Sequence, residues 1–364
     1  MTSRPGAPMG HAIVGCGRVA PCHADAFGRL EDVRLAWAVD PDLDHARELA
    51  SRFSIEQATA VYEDALADDT LASVSLCTPH DLHARMTLTA LEAGKHVLVE
   101  KPFVIDPADG ERVAAAARRA GRVVMPVTQH RFDVPLVHIR KIVTSGELGP
   151  LSMVRAHLEC VRPPEYYRDS PWRGRWAREG GSVLINQAYH VVDLLLWLAG
   201  PVTSVAASFH RHADPSIMET EDALAATLRF QGGALGTLGV NGAGGAAWGS
   251  FVELCGRDGV IAFDIGYPNV VSRLSLRSRR ATRDYRQLFA TLANDAAPAP
   301  PGLAYYGISH RDQARVFVDS VLGRDPAPSS GADLEQALST VRLIEAMYRS
   351  GREGSIVRLI PEAR

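Results

Sequence analysis

The chain has 364 residues, more than one ordinary core accommodates, which favours two domains. Hydrophobic residues make up 46% and charged residues 22%, and the formal net charge is −3. This leaves neither the basic footprint of a nucleic-acid binder nor a polybasic patch for a membrane surface. No apolar stretch approaches the roughly 20 residues of a membrane-spanning helix. The opening MTSRPGAPMG lacks the apolar core of a secretion signal and reads as a disordered lead over residues 1–10. Five cysteines, odd in number and without a CxxC pair, suit reduced thiols in a cytoplasmic protein. The 13 histidines form no HExxH, and HRH at 210–212 reads as a charged strand end, so no metal site is expected.

In chain order, the first 130 residues alternate short apolar strands with helices. Strands are predicted at 11–17, 33–40, 72–79, 96–102 and 122–129. Helices follow the first two, and further helices are predicted at 81–93 and 107–120. Such alternation predicts a parallel, doubly wound sheet in an α/β fold. After Pro150 the strand-like runs succeed one another directly: 151–161, 202–209, 222–230, 233–240, 249–255 and 259–264. Helices are predicted at 182–199, 309–323 and 332–350. Strands without intervening helices imply an α+β domain with a large open, mostly antiparallel sheet. Segment 290–304, with NDAAPAPPG, reads as a loop or lid.

The stretch GCGRVA (15–20) fits G-x-G-x-x-G/A between a strand and a helix. Gly15 permits the tight turn, Gly17 lets backbone approach a pyrophosphate, and Ala20 allows close helix–strand packing. Asp40 lies 25 residues after Gly15 at the end of the second strand. There a carboxylate can accept from ribose hydroxyls and repel a 2′-phosphate, which favours NAD over NADP; the alternative is a turn starter before Pro41. Arg47 and Arg52 lie too far along the next helix to rescue a 2′-phosphate. CTPHDLH (77–83) and VEKPF (99–103) are further strand ends, where substrate and nicotinamide meet in such sheets. Lys101, before a proline, projects there from extended or turned backbone, though a strand-end lysine is usually a solvated surface charge.

Together, GCGRVA, TPHDLH, EKP, GGSVLINQAYHVVDLL and the C-terminal run from SHRDQARVFVDSVLG to LIEAMYRSG resemble the Gfo/Idh/MocA family. The resemblance covers nearly the whole chain. It implies a Rossmann domain over 11–130 and a substrate-binding and oligomerisation domain over 131–364, assembled as a homodimer or homotetramer through its sheet. It further implies NAD(P)-dependent oxidation of a secondary alcohol, or ketone reduction, on a sugar, cyclitol or nucleotide sugar. Lys101 takes the place of the family lysine, with a cis Lys101–Pro102 bond. Gly15, Gly17, Arg18, Val19, Asp40, Thr78, Pro79, His83, Glu100, Lys101 and Gln129 are the expected cofactor residues. Gly180, Gly181, Leu184, His190 and Asp193 match the second family motif. Ser182, Ala188 and Asn186 depart from it, and Asn186 replaces the usual aspartate. A subgroup with some nucleotide-sugar 3-dehydrogenases is similar here, and Tyr166, Tyr167, Arg168 and Arg173 of YYRDSPWRG are candidate substrate or cofactor contacts, or surface.

Asn186, His190 and Asp193 are spaced four and three apart, so on one helix they share a face. Such a stripe is a core network, a solvent face, or a site. As a site, His190 is the general base, Lys101 stabilises the developing alkoxide, and Asn186 orients the substrate. Asp193 orients the helix or the imidazole, or is structural. Lys101, Gln129, Tyr166, Arg173, Asn186 and His190 are the expected substrate contacts. The absence of a dense Arg/Lys cluster favours an unphosphorylated sugar or glycoside. The alternatives are an inositol or cyclitol dehydrogenase, and a non-catalytic dinucleotide-binding regulator of the same fold.

Overall fold

A computed structural model describes residues 8–244, 248–294, 306–324 and 333–359. Most of the expected lead and most of the expected loop at 290–304 lie outside the described residues. The fold has two units. One takes the residues up to Gln129 and a return from the C-terminal half that ends at Gln336; the other takes His130 onward and resumes at Ala337.

The first unit is built on a six-stranded sheet: β1 (Met9–Val14), β2 (Val33–Val39), β3 (Gln57–Thr59), β4 (Leu71–Leu76), β5 (His96–Val99) and β6 (Val124–Pro126). The order is β3-β2-β1-β4-β5-β6 and every pairing is parallel. Strand β1, starting at Met9 within the expected lead, is buried along its whole length, as a central strand of a doubly covered sheet must be. Helices α1 (Ala20–Gly28), α2 (Leu43–Phe53), α3 (Tyr62–Leu66), α4 (His80–Glu92) and α5 (Pro107–Ala120) connect the strands. Local chemistry sets their ends. Asp42 caps α2 by accepting from the Asp44 N–H, and Asp106 caps α5 through the Ala108 N–H with Pro107 beside it.

The second unit contains α6 (Val134–Thr144), β7 (Leu151–Glu159), α7 (Pro164–Arg168), α8 (Trp176–Glu179) and α9 (Tyr189–Ala199). It continues through β8 (Val202–His210), β9 (Ala223–Phe230), β10 (Leu235–Asn241), β11 (Gly249–Gly256), β12 (Gly259–Asp264), β13 (Val270–Leu276) and α10 (Arg279–Asn294). The eight-stranded sheet runs β13-β12-β11-β7-β10-β9-β8-β14, closed by β14 (Val357–Arg358). Only β7 and β10 pair in parallel; the other neighbours are antiparallel. Side chains of β7 and β9 alternate buried and exposed, so one face packs a core and the other is open. Strand β13 and helix α10 were not foreseen; the charges of α10 all lie in its first half, up to Arg286, and it buries only Phe289.

Helix α11 (His310–Val321) belongs to the first unit, which corrects the expectation that all of 131–364 is one domain. Its Ala314, Phe317 and Val318 join the core of Ile13, Ala24, Phe27 and Leu35. Arg311 pairs with Asp25 at 2.8 Å. Apolar spacing reveals a buried face but not what covers it. The long helix α12 (Leu334–Glu353) supplies the second unit with Thr340 and Tyr348.

The predicted helix 182–199 is broken. Val183–Gln187 forms one π-helical turn, α9 starts at Tyr189, and the axis bends by 59° between Trp176–Gln187 and Tyr189–Ala199. The polar stripe therefore divides. Asp193 is a core residue: Arg131 Nε and Nη2 donate to its two oxygens at 2.9 and 2.7 Å, and Thr340 donates to Oδ1 at 3.3 Å. Both ion-pair side chains are 2% exposed. Removing one partner leaves a buried charge without compensation, which costs about 3–5 kcal/mol. Asp193→Ala is expected to lower the denaturation free energy by about that amount, measured by urea unfolding.

Candidate active site

At the end of β1 the chain turns on Gly15, whose φ is +86° and where a Cβ would stand 2.7 Å from the Cys77 carbonyl oxygen. Only glycine fits. Gly17 is different: a Cβ there would meet nothing within 4 Å, so this exposed backbone has the open approach a pyrophosphate needs. Arg18 is exposed and Val19 half-buried beside it, and α1 starts at the fully buried Ala20 without a side-chain cap. Asp40 faces this turn. Its Oδ2 accepts the Cys16 N–H at 2.8 Å and its Oδ1 the Asp42 N–H at 2.9 Å. The carboxylate is thus fixed at the tip of β2, beside the glycine turn, so these residues fit a dinucleotide.

The neighbouring strand ends hold Thr78, Pro79 and Lys101, all half-buried, and the Lys101–Pro102 bond is cis. His83 and Glu100, expected to touch cofactor, are tied to the protein itself. The His83 ring is fully buried against the carbonyls of Pro102 at 2.7 Å and Thr78 at 2.8 Å, linking the TPHDLH turn to the EKP turn. Burial lowers its pKa against the pull of those carbonyls. Glu100 Oε2 accepts the Lys101 N–H at 3.0 Å, while Oε1 faces His23 at 3.0 Å and His310 at 3.5 Å. Burial alone would raise its carboxyl; hydrogen bonds and charge from His23 and His310 outweigh this and hold it well below the usual range. An ionised Glu100 can only accept, so His23 Nε2 donates to it; behind this pair a buried hydrogen-bonded chain links His23 Nδ1 with Ser75 (3.0 Å), Ser75 with His11 Nε2 (3.0 Å), and His11 Nδ1 with Ser73 (2.7 Å). No metal site was expected; His23, Glu100 and His310, with ligand atoms within 4.8 Å, are the one group of metal-ligating composition found among the described residues. Gln129 is buried at the end of this unit.

In the second unit Tyr166, Arg173 and Asn186 come together. Asn186 Nδ2 lies 3.4 Å and Gln187 Nε2 3.0 Å from the Tyr166 hydroxyl. Arg162 Nη2 donates to Gln187 at 2.6 Å, and Arg162 and Arg173 stack on the Tyr166 ring at 4.9 and 4.1 Å. His190 is half-buried, its ring edge-on to His130 at 4.7 Å, and His130 bonds Asp133 at 2.7 Å. Tyr167 and Arg168 stand apart from this group: Tyr167 is buried with its hydroxyl on Ser182, and Arg168 is exposed beside Glu165.

Two buried carboxylates missed in the sequence shape this region. Glu221 accepts the N–H groups of Ser182 (3.1 Å) and Leu184 (2.9 Å) and the Tyr348 hydroxyl (2.8 Å), which holds the start of the π-helical turn. Gly181 passes so close to Tyr348 that a Cβ would lie 2.0 Å from its hydroxyl. Glu179, 0% exposed, accepts the Gly174 N–H and the Asn186 Nδ2–H, both at 2.6 Å. Burial pushes both carboxyls up to about 7, against these donors. Their position beside the GG pair and before β9 was the available signal, but nothing in the pattern separates buried Glu221 from exposed Glu219.

Strand order, glycine turn and acidic strand tip define a dinucleotide-binding domain of the Rossmann kind. Residues 9–128 match the family model described as oxidoreductase family, NAD-binding Rossmann fold, and residues 136–262 match the GFO/IDH/MocA C-terminal domain. The protein is an NAD-binding oxidoreductase and belongs to the Gfo/Idh/MocA family. The chain is 28% identical to the D-glucoside 3-dehydrogenase of Escherichia coli, over 97% of this chain and 98% of that protein. It is 23% identical to the myo-inositol 2-dehydrogenase of Thermotoga maritima, over 90% and 92%. The crystal structure of the WlbA dehydrogenase from Bordetella pertussis, in complex with NADH and UDP-GlcNAcA, superposes with a TM-score of 0.87 at 26% identity, covering 98% of this chain and 99% of that one.

A folded pKa raised above the unfolded value near 4.3 means that the native state binds protons more tightly than the unfolded one. Stability from Glu221 is then fully present below about pH 4 and is lost as pH rises through about 7. Melting curves are expected to show the wild type losing ground to Glu221→Gln between pH 5 and 8, because glutamine does not titrate.

Proposed function

We propose that the protein oxidises one secondary hydroxyl of a sugar or sugar derivative, at the sugar 3-position, or reduces the corresponding ketone, with NAD(H) preferred over NADP(H). The observation that carries this reading is the group Tyr166, Arg173, Asn186 and Gln187, stiffened by two guanidiniums stacked on one phenol. Closely spaced donors and acceptors suit a ring bearing several hydroxyls, since a substrate lacking them leaves buried polar groups unpaired. The likeness to a D-glucoside 3-dehydrogenase along nearly the whole chain supports the substrate class and position. The protein falls on this reading in the subgroup with asparagine at the family aspartate.

Bound NAD supplies the hydride acceptor. Gly15, Gly17, Arg18, Val19 and Asp40 hold its pyrophosphate and adenosine ribose, with Thr78, Pro79, Lys101 and Gln129 on the nicotinamide side. His190 takes the hydroxyl proton, Lys101 stabilises the oxygen as it becomes negative, and Asn186 with Tyr166 and Arg173 orients the ring. Assembly as a homodimer or homotetramer uses the open sheet face, where Arg155, Thr227 and Arg229 are exposed.

The test is NADH formation with a panel of glycosides, uronic acids and inositols. Sugars are expected to be turned over; activity on inositols alone favours the cyclitol reading, and no turnover at all favours a non-catalytic dinucleotide-binding protein. Lys101→Ala and His190→Ala should each reduce turnover by about 10²- to 10⁴-fold while NAD still binds. Fluorescence titration should show NADH binding more tightly than NADPH, since Asp40 repels a 2′-phosphate. Tighter NADPH binding would overturn the preference.

A further inference from the structure

The second unit places a fully buried carboxylate in contact with the asparagine that replaces the family aspartate. Ionised, Glu179 accepts on both oxygens, from Gly174 N–H and from Asn186 Nδ2–H, each at 2.6 Å. That contact orients the amide, whose two ends are chemically different: the nitrogen points at Glu179 and the oxygen away from it. We propose that Glu179 is the positioning residue that decides which end of the Asn186 amide meets the substrate. The substrate part of this rests on the reading above; the amide part does not.

Protonation reverses the arrangement. A carboxylic acid must donate its proton, and the Asn186 amide, turned to offer its oxygen, is the acceptor 2.6 Å away. The amide nitrogen then points where the oxygen pointed, and a site that accepted a hydroxyl proton becomes one that donates. Burial places this change near neutral pH. The charged and titratable groups around Glu179 come from four places. Arg173 of the loop before α8 favours its ionised form, and Glu221 before β9 opposes it. Tyr166 and Tyr167 of α7, and Tyr348 of α12, also feel its charge.

The chain has four asparagines, Asn186, Asn241, Asn269 and Asn294, so labelling asparagine with nitrogen-15 gives a short side-chain amide spectrum. The Asn186 pair is the one missing from Asn186→Asp. In the wild type it is expected to shift with an inflection near neutral pH. Glu179→Gln should abolish that inflection, and Glu221→Gln, by removing a like charge, should move it to lower pH. Substrate KM should follow the same inflection in the wild type, with kcat changing less, and Glu179→Asp should restore a titration that Glu179→Gln lacks. Asn186→Asp puts two carboxyls in contact, which must share a proton, so its activity profile should move to higher pH. A wild-type Asn186 signal indifferent to pH, or the same inflection in Glu179→Gln, overturns the proposal. If Glu179→Gln does not fold, an inflection that Glu221→Gln leaves in place overturns it as well. A protein inert on every sugar would sink the dehydrogenase reading, while the amide titration, which needs no substrate, still decides the role of Glu179.

Discussion

A carboxylate taken out of water has to find donors, and Glu221 finds them in the backbone of the turn that shapes the second unit's site. The first N–H groups of a helix have no partners within it, and here a side chain from another segment supplies one. With the Tyr348 hydroxyl on the same oxygen, the carboxylate locks α12, Ser182 after the Gly180–Gly181 turn, and the second residue of the π-helical turn together. The wide turn absorbs the change of direction before α9, and this sets where Asn186 stands relative to His190. Remove the carboxylate and Ser182 and Leu184 lose their acceptor in a buried place, so the register of the turn has no support.

The first unit uses the same device. Glu100 ties the Lys101 backbone to α1 and α11 through two histidines, and the chain of serines and histidines behind it satisfies polar groups inside the sheet. His83 ties the same turn to the end of β4. His83 and Glu100, which lie in the motifs, both hold the backbone around Lys101 and Pro102. A side chain proposed to stabilise charge needs a backbone that stays in place, and these two contacts fix that of Lys101.

Much of this was legible in the sequence because its signals are local. Gly15 and Asp40 follow from turn geometry and spacing, and the change from alternating to successive strands marks the passage from one sheet to the next. The return of α11 was not legible, since an amphipathic helix names no partner. The break at Ala188 was missed for a related reason: apolar spacing over 182–199 reads as one helix, while the turn before the break is held by Glu221, 39 residues after Ser182 and 37 after Leu184, beyond any local pattern. Spacing left Asp193 open between an orienting and a structural role; it is the ion-pair partner of Arg131, and only the tertiary fold shows which charge faces it.

The asparagine at 186 and the buried glutamate at 179 are one choice, not two. An aspartate at 186 would stand in contact with Glu179, and two buried carboxyls at that distance cannot both ionise. One would hold a proton at neutral pH, and the helix turn would carry a group whose charge depends on its neighbour. An amide removes that conflict. It keeps a donor for Glu179 and an acceptor on its other end, without a charge of its own. An ionisable group therefore stands beside residue 186 without occupying it, in contact with the amide nitrogen of Asn186.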